Sequence, residues 1–88
     1  MSSRLHVMPL GHRGEVTFVG PVKSVFGGVL CDTDGSIGYP TEFGPETAID
    51  IVNQCRSLVG LLPGDERDLD RVMQWASAGY RLFADWQH

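Results

Sequence analysis

The stretch that most narrows the choice of fold is 65–88, DERDLDRVMQWASAGYRLFADWQH, because apolar residues return through it at helical spacing. Leu69, Val72, Met73, Ala76, Tyr80 and Phe83 recur three and four positions apart, the signature of one buried helical face. Pro63-Gly64 breaks the chain just before. Asp65 is a good N-cap, and Asp68, three positions on, makes a weaker version of the reciprocal capping box. Glu66 and Asp68 add negative charge in the first turn, where the helix dipole favours it. Arg67 with Asp70, Asp68 with Arg71, and Arg81 with Asp85 are near-neighbour opposite charges suited to a wet helical surface. One long C-terminal helix is expected.

That helix would carry an apolar stripe in excess of its core face. Trp75, Leu82 and Trp86 are separated by seven and four positions and line up on a second side. Ala78 and Gly79 between the tryptophans would let another backbone approach closely. Tryptophan combines a large apolar area with one N–H donor, which makes it a favoured interface anchor. A partner-binding surface of Trp75, Leu82 and Trp86, rimmed by Asp68 and Asp85, is therefore expected. Two other readings stay open: the sheet edge or the N-terminal strand covers this stripe, or a homodimer does.

Upstream, four strands are expected. Residues 5–10 alternate weakly, and Gly11-His12-Arg13-Gly14 is turn material. Residues 15–22 read as a strand with Val16 and Phe18 on one face and Thr17 and Val19 on the other, bent at Gly20-Pro21. Residues 24–31 read as a third strand, loosened by Gly27-Gly28. Asp34-Gly35 then marks a hairpin, since glycine takes the positive φ that the turn requires. Residues 37–43 return as the fourth strand, with Ile37, Tyr39, Thr41 and Phe43 on one face. Gly44-Pro45-Glu46 opens a helix, with proline at its first position and an acid just inside. Its buried stripe is read as Ala48, Ile51, Val52, Cys55, Leu58, Val59 and Leu62, with Gly60 and Pro63-Gly64 ending it. The expected architecture is α+β: a four-stranded, mainly antiparallel β-meander followed by two antiparallel α-helices packed on one face, in the order ββββαα. At 88 residues the chain is expected to make a single compact domain, 1–88.

Charge and cysteine usage limit the chemistry. The formal net charge is −4, with acids dispersed and no basic stripe, which speaks against direct nucleic-acid binding through phosphate neutralisation. Cys31 and Cys55 are not spaced as metal ligands, and two cysteines make no disulfide framework. Asp32-x-Asp34-Gly35 resembles part of a calcium loop, but the glutamate that such a loop needs falls on Thr41, so a plain hairpin is the better reading. No cofactor and no metal are expected. The N-terminus lacks the apolar core of a signal peptide, and no run approaches a membrane span, so a cytoplasmic location without membrane association is the expectation. His12 and Arg13, at a loop tip, are weak ligand-binding candidates. A nucleophile–base pair built from Cys31 and a histidine is a remoter enzymatic reading. Phe18, Phe26, Tyr39 and Phe43 could form a base-stacking platform, but without interleaved Lys or Arg they read as core.

Two short runs resemble known families. Gly14-Glu15-Val16-Thr17-Phe18-Val19-Gly20 resembles the opening of a CAP-Gly domain, but the lysine-asparagine-aspartate-glycine run that binds the partner in that family is absent. Asp34-Gly35 followed by strand, proline and an acidic-started helix is similar to HicB-type antitoxins, without their second hairpin. Neither resemblance implies a role for a residue of this chain. In composition the chain also resembles small acidic phage-encoded inhibitors, anti-CRISPR proteins among them. The expected function is non-catalytic: a protein-interaction domain that binds, and through binding inhibits, a larger protein or complex. The alternatives are a small-ligand or nucleic-acid binding module using the exposed sheet face, and a small enzyme using His12 or Cys31.

Overall fold

The computed structural model describes residues 4–30 and 40–87. The elements run β1 (Arg4–Pro9), β2 (Val16–Phe18), α1 (Gly20–Leu30), β3 (Thr41–Phe43), α2 (Pro45–Arg56), α3 (Pro63–Ser77) and β4 (Leu82–Gln87). The four strands form one sheet in the order β2-β1-β4-β3, with every neighbouring pair antiparallel. The expected α+β class and antiparallel four-stranded sheet are present. The expected ββββαα order is not: among the described residues there are three helices, and the last strand closes the chain. The Asp34-Gly35 hairpin, Cys31 and the first part of the expected fourth strand lie outside the described residues.

Two segments change type. Residues 24–31, expected as a third strand, belong largely to α1. Val22 and Phe26, one helical turn apart, are both fully buried, with Val25 and Leu30 packed beside them. Gly27-Gly28 lowers helix propensity by about 1 kcal/mol per glycine. Burying Phe26 offsets that cost: its ring stacks on Phe18 at 5.4 Å and meets Phe43 edge-on at 6.1 Å. These three aromatic rings are core, not a base-stacking platform.

The second change is at the C-terminus. The long helix expected over 65–88 spans Pro63–Ser77 instead and stops at a Schellman motif. The Tyr80 N–H donates to the Trp75 carbonyl at 3.1 Å, and the Gly79 N–H donates to the Ala76 carbonyl at 3.0 Å. Gly79 sits at φ 88°, a conformation that glycine adopts without a Cβ penalty. Beyond it, Leu82, Ala84 and Trp86 point into the core while Phe83, Asp85 and Gln87 face outward, which is the period of a strand. The start of α3 also moves. Pro63 occupies the first turn, and Asp65 is not the N-cap but reaches back from inside the helix, its carboxylate accepting the Leu62 N–H at 3.2 Å.

One face of the sheet carries the core. Leu5, Val7 and Pro9 of β1, Val16 and Phe18 of β2, Phe43 of β3, and Leu82, Ala84 and Trp86 of β4 are all buried. The helices supply Val22, Ile51, Val52, Leu69 and Val72 to the same cluster. The edge strands β2 and β3 are only three residues each, a length that limits pairing with other chains.

Candidate functional site

The residues expected to bind a partner go inside. Trp75, Leu82 and Trp86 are 8 %, 0 % and 4 % exposed and belong to the core cluster. They share no helical face, because Trp75 lies on α3 while Leu82 and Trp86 lie on β4. Trp75 packs under the β1–β2 turn. A Cβ built on Gly14 would stand 2.8 Å from its ring, and Gly14 has φ 130°. The Arg71 guanidinium lies over the same ring at 5.1 Å, and its Nη1 donates to the Glu15 carbonyl at 3.2 Å. The indole N–H of Trp86 is buried without an acceptor among the described residues.

The other sequence candidates are dispersed. Asp68 is half-buried on α3, and Asp85 is half-buried on the outer face of β4, where Gln87 donates to its carboxylate at 2.6 Å. The pair expected between Arg81 and Asp85 is replaced by Arg81 with Glu42 of β3 at 2.5 Å. Asp70 pairs not with Arg67 but with Arg56 of α2, also at 2.5 Å. The His12 ring stacks on Tyr80 at 5.0 Å, while Arg13 is exposed beside it.

Two surfaces remain. The first is the outer face of the sheet, with Met8 opposite Phe83 at its centre and His6 opposite Asp85 next to them. His6 Nδ1 lies 2.8 Å from the Glu15 carboxylate and 3.2 Å from the Thr17 hydroxyl. Both partners meet the same ring nitrogen. A hydroxyl–imidazole–carboxylate relay needs the nucleophile on one nitrogen and the carboxylate on the other, so this cluster is not a triad. The sequence reading missed His6; the weak alternation over 5–10 is a signal for its outward position, but sequence spacing could not bring Glu15 to it.

The second surface is the α2–α3 loop. Leu58, Val59 and Leu62 were expected as part of a buried helical stripe. The helix ends at Arg56 instead, and Ser57 caps it with its N–H donating to the Gln54 carbonyl at 3.2 Å. Released from the helix, Val59 is 95 % exposed and Leu62 is 59 % exposed. Leu58 and Leu61 stay partly buried against the core and anchor the loop between them. Gly60 at φ 88° turns the chain, and Asp65 holds the Leu62 N–H. Beside this loop lies a groove of about 310 Å³ lined by Arg56, Leu61, Glu66, Leu69 and Asp70. The signal for this surface was available in the apolar run Leu58-Val59-Gly60-Leu61-Leu62 directly before a Pro-Gly break, a place where turn residues are usually polar.

Cys55, on α2, is fully buried and free. Burial, and then the charge of Asp65, push its thiol from 9.0 up to about 11, so it has little thiolate character near neutrality. No group of three or more His, Cys, Asp or Glu among the described residues is arranged to hold a metal ion. None of the described helices is long and apolar enough to cross a membrane. No protein-family model matches the chain, and neither a curated protein nor a solved structure matches it.

Proposed function

We propose that the chain is a non-catalytic protein-interaction domain that docks onto a larger partner through its α2–α3 loop. The observation that supports this reading is the exposure of Val59 and Leu62 on a loop held at both ends. Fully burying an aliphatic side chain contributes roughly 1.5–3 kcal/mol. A loop already fixed in one shape loses less entropy when it binds. Inhibition of the partner, as in small phage-encoded inhibitors, and a cytoplasmic site of action are the finer parts of this proposal.

The test is capture from native lysate with the wild-type chain, the Val59→Asp/Leu62→Asp double variant and the Met8→Asp/Phe83→Asp double variant, each checked by thermal melting. The proposal expects a stoichiometric protein that the loop variant loses while its Tm is kept. Loss only with the Met8/Phe83 variant would move the site to the sheet. The second reading, a small-ligand or nucleic-acid binding module using the exposed sheet face, has the Met8–Phe83 pair as its specific support and expects no stoichiometric protein to be captured.

A further inference from the structure

We propose that the groove beside the α2–α3 loop receives a basic amphipathic segment of the partner, an aliphatic side chain flanked by lysine or arginine. This rests on the loop being the docking surface and adds the chemistry of what it takes. The groove's volume of about 310 Å³ is at the lower limit of ligand-sized sites, which suits a side chain or two better than an extended cofactor. Its apolar lining is Leu61 and Leu69, and exposed Val59 and Leu62 extend that surface along the loop.

Charge decides the flanks. Of the three charged lining residues, Arg56 and Asp70 neutralise one another at 2.5 Å. Glu66 is exposed and has no partner among the described residues. It is not consumed by capping α3, because the Asp65 carboxylate already takes the Leu62 N–H. The groove therefore presents one exposed carboxylate with no ion-pair partner among the described residues, in a chain of formal net charge −4. A cation beside the inserted apolar group complements both, and an anionic segment is repelled by both.

The test is selection of random linear peptides displayed against the immobilised full-length chain, followed by titration of the enriched peptides into the wild type, Val59→Asp and Glu66→Lys. Both substitutions are at exposed positions, and an unchanged Tm verifies that the variants fold. Enriched peptides should combine an aliphatic residue with adjacent Lys or Arg and should lose binding to Val59→Asp. They should weaken about 1.5- to fivefold with Glu66→Lys, the range expected for one exposed charge pair. Reselection on Glu66→Lys should then favour Asp and Glu. Peptides that need Val59 but show no basic preference overturn this inference and leave the docking surface standing. Peptides indifferent to both substitutions, or no enrichment above the Val59→Asp control, overturn both.

Discussion

Strand β4 and the α2–α3 loop are both short, apolar and rich in large side chains, yet they have opposite fates. In β4 the apolar residues alternate with polar ones, and Leu82, Ala84 and Trp86 fill the core between β1 and the helices. In the loop they are consecutive, so no regular conformation can turn all of them inward, and Val59 and Leu62 stay in water. Read as helices, both segments offer the reverse: an exposed tryptophan stripe at the end and a buried leucine stripe before it. Apolar content is therefore a poor guide to burial. The period of the pattern, and where a helix stops, is the better one.

Substitutions can break this comparison, and the largest effect belongs to β4. Leu82→Asp places a carboxylate at a fully buried position and should cost on the order of 4 kcal/mol or more, enough to abolish the cooperative melt. A folded Leu82→Asp protein would show that this strand is not core. Trp75→Ala should destabilise by about 3–5 kcal/mol in urea unfolding, since the indole packs beneath the β1–β2 turn. Gly14→Ala probes the same contact from the other side. The new Cβ would meet the Trp75 ring at 2.8 Å from a backbone at φ 130°, for a loss of about 2–3 kcal/mol.

Smaller effects sharpen the contrast. The raised Cys55 thiol stabilises the fold fully below pH 9.0, and that contribution should fade as pH climbs towards about 11, because the unfolded chain releases its proton first. The stability difference between wild type and Cys55→Ala should shift accordingly over this window, measured by urea unfolding at several pH values. A difference that is flat with pH would mean that Cys55 titrates normally. Val59→Asp, at the opposite extreme from Leu82→Asp, should change stability by no more than about 0.5 kcal/mol. A loss of several kcal/mol there would place the loop in the core and remove the docking proposal.

Part of this was legible in the residues. Pro45 opening α2, the core stripe Ala48, Ile51, Val52 and Cys55 and the inward Val16 and Phe18 all follow from local pattern, and the structure has them, whereas Pro63-Gly64, read as a break, forms the first turn of α3. Gly79 was legible too, as a helix stop, but its place between two tryptophans made it read as an interface residue instead. The pairing of His6 with Glu15, and of Arg81 with Glu42, had no local signature, because strand pairing and chain turns bring those residues together.

The amino-acid sequence by itself determined the α+β class, the start of α2 and the burial of Cys55, since each follows from patterns within a few positions. Tertiary structure alone decided that 20–30 coils, that 82–87 pairs between β1 and β3, and that Val59 and Leu62 face water. Local propensities differ by tenths of a kcal/mol per residue, up to about 1 for glycine or across the strand scale. Burying a single large side chain contributes roughly 1.5–3 kcal/mol. Where the two conflict, as for Phe26 on its glycine-weakened helix, the conformation that fills the common core wins.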